Sequence, residues 1–346
     1  MTKAPGGDLL AARLESVQSL RGIAALFVVS QHICFIGRGS FGVDIFFLIS
    51  GFIIMLSTEK GREHFLVKRL IRIVPLYYLF TFVSFLAAFF IPALFDNTNA
   101  DVISLVKSLL FIPFEQSGVT QPLYRIGWTI NYEVMFYLLF FISMLISFRF
   151  RAIICTLLIC LLAGLGALFP NLPEPARFWT DSIILEFAVG MLSYYLIRFW
   201  YGKVAEKEKA SPLFCKICVI IGMIACVFLF LFMYKSYENS FLCSIPEFIR
   251  WGLPSFVIFL IFLRIGFTCS FPGILVLLGN MSFSIYMIHY FPMRFLGRII
   301  GNTMNPNIVQ VFITLGMVAL SLACAYLSYI LIEKKFTKYL KNKLEV

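Results

Sequence analysis

Long apolar runs recur along this chain and constrain its fold more than any other feature. About ten of them are long enough to cross a bilayer as a helix. They cover approximately residues 17–36, 41–57, 73–94, 127–147, 152–169, 179–200, 214–234, 247–264, 273–292 and 308–332. Since 60% of the residues are apolar and only 14% are charged, a soluble domain of this length is excluded. The sequence predicts an all-α polytopic membrane protein, a bundle of about ten transmembrane helices in a single domain over residues 1–346.

The net charge of +11 would be compatible with nucleic-acid binding, but its distribution indicates a membrane topology instead. Of the 29 lysines and arginines, 20 fall in segments on the N-terminal side of the predicted helix ladder and 8 on the opposite side. The positive-inside rule therefore places both termini in the cytoplasm of a multi-pass inner-membrane protein. Anionic membrane lipids account for the remaining attraction, and we expect no nucleic-acid partner.

The first predicted hairpin contains ionisable residues that are costly at membrane depth. Arg21 and His32 lie in the first apolar run, and Asp44 opens the second. Eleven helical residues make three turns plus about 20°, so Arg21 and His32 share one stripe roughly 16 Å long. A carboxylate that holds a histidine ring is a recurring way to build a general base. The alternative is a polar pair that reaches the interface or packs two helices together.

A basic pair precedes the third apolar run. Arg69 and Arg72 are three residues apart and so share a helical face. Guanidinium groups bind phosphate in a planar, bidentate manner that lysine does not match. The alternative is that both are ordinary cytoplasmic residues of the positive-inside pattern.

Two further apolar runs contain polar groups at membrane depth. Glu133 lies about two turns into the fourth run, near the depth expected for His32 and Asp44, and Trp128 opens that run. In the ninth run, Ser282, Tyr286 and His289 follow one another at spacings of four and three residues and share one stripe. Pairing between neighbouring helices is the competing explanation for both sets.

The cysteines give no indication of a metal site. Nine are scattered along the chain, mostly in apolar runs, as is typical of small buried apolar residues. Cys215 and Cys218 form a lone CxxC without a second pair or a nearby histidine. We therefore expect no bound metal.

Several of these motifs together resemble the integral-membrane acyltransferase family 3, which modifies cell-surface carbohydrates. The resemblance rests on the Arg21–His32 spacing, on GVDIFFLISGF from Gly42 to Phe52 and on the RxxR of Arg69 and Arg72. It extends to WTINYE, from Trp128 to Glu133, and to LGNMSFSIYMIH, which ends at His289. These motifs occur in the family's order and cover nearly the whole chain.

The resemblance implies a bundle of about ten helices that uses acetyl-CoA or a related acyl-CoA as a co-substrate, with no tightly bound cofactor. His32 would be catalytic, oriented by Asp44, with Glu133 as a further member of the catalytic set. Substrate or donor binding would involve Arg21, Arg69, Arg72, Trp128, Ser282, Tyr286 and His289. The implied acceptor is a hydroxyl of a surface carbohydrate, such as an exopolysaccharide, the O-antigen of lipopolysaccharide or a lipid-linked precursor.

Two other classes of function remain open at this point. In a proton-coupled transporter or flippase, intramembrane histidine and glutamate would form a proton relay. The RxxR pair and the lack of paired broken helices or inverted repeats in the sequence argue against that class. In a purely structural membrane partner, substitution of His32 would be without effect.

Overall fold

The chain folds almost entirely into helices, which confirms the predicted all-α class. The computed structural model describes residues 6–33, 35–59, 61–91, 100–116, 118–210, 212–300 and 306–346. Contacts divide the chain into two compact units. The first contains residues up to Ser57 together with Glu186–Leu322, and the second contains Thr58–Leu185 and Ala323–Val346. The single functional domain expected from the sequence stays a prediction.

The first unit is built around α1, which packs against α2, α11, α12 and α13. A π-helical turn, Phe248–Gly252, leads into α11, which also packs on α9. The helices of this unit are α1 (Gly6–Gln31), α2 (Gly42–Ser57), α8 (Leu185–Ala210), α9 (Pro212–Lys235), α10 (Ser240–Cys243), α11 (Leu253–Ile265), α12 (Gly273–Asn280), α13 (Ser282–Ile288), α14 (Tyr290–Ile300) and most of α15 (Ile308–Ser328).

The second unit is organised around α3, which packs against α5, α4 and the C-terminal helix α16. Its helices are α3 (Phe65–Phe90), α4 (Val102–Leu109), α5 (Trp128–Ile146), α6 (Arg151–Leu168), α7 (Ala176–Trp179) and α16 (Thr337–Lys343), the last preceded by a π-helical segment, Tyr329–Phe336. Short 3-10 turns cover Arg125–Gly127 and Ser182–Ile184. Two short antiparallel strands, β1 (Glu115–Gln116) and β2 (Val119–Thr120), pair Glu115 with Thr120 and Gln116 with Val119.

The helices agree with a multi-pass membrane protein. Among the described residues, seven helices are long and apolar enough to span a membrane, or eight if one bent pair counts as a single span. The other two predicted spans correspond to α2, which is apolar but shorter, and to α1. Many of the large apolar side chains on the outer faces of these helices are exposed, as expected for surfaces that face lipid.

Helix α3 begins at Phe65, well before the start near residue 73 expected from the sequence. The apolar run begins just after Arg72, as expected. The helix nevertheless extends further towards the N-terminus, because lysine, arginine and leucine favour helices. Arg69 and Arg72 therefore lie in the first two turns of a long helix, not in a loop before it. Pro75 lies inside this helix.

Close contact between α1 and α12 depends on two glycines. A Cβ added at Gly279 would lie 1.8 Å from the carbonyl oxygen of Gln18, and one added at Gly22 would lie 2.8 Å from that of Leu275. Any larger residue would push the two backbones apart. This contact fixes α12, and hence the segment that follows it, against α1.

The ninth predicted span is not straight. The helices Gly273–Asn280 and Ser282–Arg298 are bent by 58° relative to each other at Met281. It is the one bent pair of this kind among the described residues. Hydropathy did not predict this bend, because it reports the apolar run and not its direction; Gly279 and Asn280, which favour helix ends, directly precede it.

Candidate active site

His32 and His289 lie together in the first unit. Helix α1 ends at Gln31, so His32 is the first residue beyond it. The Nε2 atom of His289 is 3.3 Å from Nδ1 of His32, and the two ring centroids are 4.9 Å apart. His289 is fully buried, whereas His32 is half-buried. Two histidines from distant parts of the chain thus form one pair, with His289 on its buried side.

Hydrogen bonding in this pair determines which ring nitrogens carry protons. Nδ1 of His289 is 3.0 Å from the carbonyl oxygen of Ile285, which can only accept, so this nitrogen donates. The Nε2 atom of a neutral His289 is then an acceptor, and Nδ1 of His32 must donate to it. The same Nδ1 is also 3.1 Å from the carbonyl oxygen of Val28. The lone pair of a neutral His32 therefore lies on Nε2, as a general base requires.

Aromatic rings surround the histidine pair. The Tyr290 ring lies edge-on to His32 with centroids 5.8 Å apart, and the Tyr286 ring is 5.9 Å from His289. Tyr286 also meets Phe46 of α2 at 6.3 Å. The predicted stripe of Ser282, Tyr286 and His289 is buried along its length. Within the described structure, the Ser282 hydroxyl is buried without a hydrogen-bond partner.

Asp44 lies in the first turn of α2 and is buried. Its carboxyl group interacts with that of Glu186 in α8, and Glu247 and Arg250 interact with it electrostatically. Glu186 is fully buried, and its position in the apolar run over residues 179–200 is the one sign of importance visible in the sequence. The predicted orienting contact between Asp44 and His32 stays a prediction.

The second unit holds another polar cluster, made of Arg69, Arg72, Glu133 and Tyr137. Tyr137 donates a hydrogen bond to Oε1 of Glu133 one helical turn away. The guanidinium carbon of Arg69 lies 5.6 Å from the centre of the Tyr137 ring and 5.8 Å from that of Phe65. Arg72 lies within electrostatic range of Arg69 and Tyr137.

This cluster differs from the arrangement expected from the sequence. The sequence predicted that Glu133 and the basic pair lie towards opposite faces of the membrane. The structure instead groups Glu133 with Arg69, because α3 starts early and brings the arginines inside a helix that packs on α5. Tyr137 was missed, although its position four residues after Glu133 is the spacing at which helical side chains meet.

Trp128 and Arg21 are the two remaining residues that the sequence predicted for substrate or donor binding. Trp128 is the first residue of α5 and lies edge-on to Tyr132, which stacks on Phe178 with centroids 4.1 Å apart. Arg21 lies half-buried in the middle of α1.

Comparison with known proteins assigns the chain to a family. A family model that describes an acyltransferase domain, that of acyltransferase family 3, matches residues 14–329. The chain belongs to acyltransferase family 3. This membership confirms the resemblance that the sequence motifs indicated. No solved structure matches this acyltransferase significantly.

Several characterised or named proteins are similar to this acyltransferase. It is 32% identical to the exopolysaccharide production protein ExoZ of Rhizobium meliloti over 182 residues, which cover 51% of this chain and 56% of ExoZ. It is 24% identical to the putative membrane-bound transacylase BcsY of Komagataeibacter xylinus, over 94% of this chain and 84% of BcsY. The peptidoglycan O-acetyltransferase OatA of Listeria monocytogenes is 26% identical over 93% of this chain and 56% of OatA. The match thus spans little more than half the length of ExoZ and of OatA.

Proposed function

We propose that this acyltransferase transfers an acyl group, in the simplest case acetyl, from cytoplasmic acyl-CoA to a hydroxyl of a cell-surface polysaccharide or its lipid-linked precursor. The observation that carries the proposal is the His32–His289 pair. Its hydrogen bonds leave the lone pair of a neutral His32 on Nε2, where it can accept a proton. The names of the relatives support a carbohydrate acceptor, since they refer to exopolysaccharide production and to peptidoglycan O-acetylation.

In the proposed reaction, Nε2 of His32 accepts the proton of the acceptor hydroxyl as its oxygen attacks the thioester carbonyl carbon. The new C–O bond forms, the C–S bond breaks, and the thiolate of CoA leaves. The proton on His32 then passes to that thiolate, which regenerates the base. Transient transfer of the acyl group to His32 itself is an alternative route to the same products.

His289 would assist by keeping His32 in the productive tautomer. Its own Nδ1 is committed to a main-chain carbonyl, so its Nε2 remains an acceptor for Nδ1 of His32. Because the His32 ring is already held in position, little conformational entropy is lost when it becomes protonated during the reaction. His289 therefore acts on His32, which acts on the substrate.

Arg69 and Arg72 would bind the phosphates of the acyl-CoA. Two guanidiniums on one helix face match the fork geometry of phosphate oxygens. Glu133 and Tyr137 would support them, because the Glu133 carboxylate offsets part of the positive charge near Arg69 when no donor is bound. This assignment requires the N-terminal end of α3 to face the cytoplasm of the inner membrane, with both termini of the chain on that side, as the charge distribution predicts.

The His32→Ala variant tests this function. It should remain in the membrane and lose acetyl transfer from acetyl-CoA, measured with the purified protein and by mass spectrometry of surface glycans from cells with and without the gene. The matched control is His64→Ala, which removes an exposed histidine at the start of α3. Full acetylation by a well-expressed His32→Ala variant would rule out the proposed mechanism.

The same measurement distinguishes an enzyme from a transporter. The bend at Met281 is a feature that transporters use at their binding sites, usually in pairs. A flippase moves a glycan precursor without changing its mass and needs a sealed membrane. Acetylation of a soluble carbohydrate acceptor by the detergent-solubilised protein would therefore exclude transport as the primary activity.

A further inference from the structure

The turn between α1 and α2 is held by a tyrosine from a distant part of the chain. The turn covers Gly37–Ser40, and Tyr237 follows the end of α9. The Tyr237 hydroxyl oxygen is 3.2 Å from the backbone nitrogen of Gly39 and 2.8 Å from that of Ser40, and both N–H groups donate to it. It is also 2.5 Å from Oγ of Ser40. With both lone pairs of the phenol occupied, its O–H is left to donate to Ser40, so every hydrogen-bonding position of Tyr237 is used.

A second interaction joins the same two segments. Arg38 of the turn forms an ion pair with Glu238, and its guanidinium carbon lies 4.8 Å from the centre of the Tyr234 ring. The Tyr237 hydroxyl thus holds Gly39 and Ser40, and the ion pair with Glu238 holds the preceding residue, Arg38. We call Arg38 and Ser40, together with Tyr237 and Glu238, the latch.

Tyr237, the latch residue that follows α9, is itself fixed by contacts within the first unit. The Tyr237 ring packs on Trp251 with centroids 4.9 Å apart, and the indole nitrogen of Trp251 donates to Oγ of Ser236 at 2.8 Å. Trp251 is buried in the π-helical turn before α11. Burial also raises the pKa of Tyr237, so its hydroxyl stays protonated at any physiological pH. The latch therefore connects the turn to a fixed part of the first unit.

The turn also lies directly on the end of α1. Gly39 has a φ of 137°, and a Cβ there would lie 2.0 Å from the carbonyl oxygen of Phe27, so only glycine fits. The Ser30 hydroxyl oxygen is 2.7 Å from the carbonyl oxygens of both Arg38 and Phe27, so its one proton is shared between the turn and α1. Movement of the turn would thus disturb the last residues of α1.

His32 depends on this support because it lies just outside the regular helix. Its backbone N–H bonds to Val29, three residues back, as in the tightened last turn of a helix. Helix ends of this kind open most readily unless they are restrained. The His32 ring must nevertheless stay within hydrogen-bonding distance of His289, which belongs to another helix.

We propose that Tyr237 is a positioning residue, which holds the turn after α1 so that His32 stays against His289 during acyl transfer. The inference rests on the proposed function, since it assigns the latch to the placement of the base. Tyr237 contacts the turn and not the reacting atoms. It should therefore affect turnover and not donor binding.

The Tyr237→Phe variant removes the hydroxyl and keeps the ring against Trp251. We expect kcat to fall about tenfold with an unchanged KM for acetyl-CoA. Tyr234→Phe, which removes a hydroxyl from the same segment and keeps its ring under Arg38, is the matched control and should have wild-type kcat. A Tyr237→Phe kcat within twofold of wild type, in protein whose His32→Ala variant is inactive, would overturn the latch and leave the proposed function intact.

Charge reversal tests the latch independently, should Tyr237→Phe fail to fold. Glu238 is largely exposed, so Glu238→Arg should be tolerated by the fold, whereas Arg38→Glu changes a side chain that is 23% exposed. Each single variant should lower kcat, and the double variant should restore it by re-forming the pair in the opposite sense. Single variants with wild-type kcat, or a double variant no better than the singles, would contradict the inference. An active His32→Ala protein would instead overturn the proposed function on which the latch rests.

Discussion

Nε2 of His289 lies 3.3 Å from Nδ1 of His32, although 257 positions separate the two residues in the sequence. The contact depends on the close approach of α1 and α12 at Gly22 and Gly279, and on the bend at Met281 that follows α12. It turns two isolated membrane-depth histidines into a pair with a defined direction of hydrogen bonding.

The first prediction concerns His289. His289→Ala removes the acceptor for Nδ1 of His32, so kcat should fall at least about tenfold, which corresponds to about 1.4 kcal/mol of activation free energy. His289→Gln offers an amide oxygen as a substitute acceptor and should retain more activity than the alanine variant. Steady-state kinetics with acetyl-CoA measure both. Equal, wild-type turnover in the two variants would show that His289 only fills space.

The second prediction concerns Glu133 and Tyr137. Glu133→Gln keeps the shape and the hydrogen bond but removes the charge near Arg69, and we expect a loss of at least roughly tenfold in rate. Tyr137→Phe should reduce the rate less, because the carboxylate remains. If the two side chains act together, the double variant should be no slower than Glu133→Gln alone. Strictly additive losses would mean that the hydrogen bond between them has no functional role.

The third prediction concerns the donor site. Arg69→Lys and Arg72→Lys keep the charge but lose the bidentate geometry, so both should weaken CoA binding to the purified protein. Arg149→Lys, at an exposed position near the start of α6, is the matched control and should bind normally. Unchanged affinity in both test variants would assign Arg69 and Arg72 to the positive-inside pattern alone.

The fourth prediction concerns sidedness, on which the proposed donor and acceptor sides depend. In a cysteine-free background, Ser40→Cys or Glu238→Cys should react in intact cells with a thiol reagent that does not cross the membrane. Glu238 is the more exposed of the two and is paired with Arg38 of the same turn. A cysteine at His64 should react only after the cells are opened. Labelling of His64→Cys from outside would invert the topology and place Arg69 and Arg72 away from cytoplasmic acyl-CoA.

Much of this protein follows from its sequence. Apolar runs of membrane length determine an all-α polytopic fold, because the bilayer requires every backbone polar group to be paired within a helix. Motifs such as Arg21–His32 and the RxxR of Arg69 and Arg72 indicated the family, which the family model over residues 14–329 confirms. They also identified His32 and His289 as separate candidates, because an ionisable group at membrane depth is energetically costly and usually marks a functional site.

Only the tertiary structure decided which of these residues meet. Spacing along one helix gives the face of a side chain but not the helix that this face contacts, so the pairing of His32 with His289 was not predictable. The same limit applies to Asp44, which faces Glu186, and to Glu133, which lies with Arg69 and Tyr137. Hydropathy also placed the start of α3 too late, because it detects where apolar residues stop and not where helical hydrogen bonding begins. The latch between Ser40 and Tyr237 joins segments nearly 200 residues apart, and no periodicity in the sequence reports such a contact.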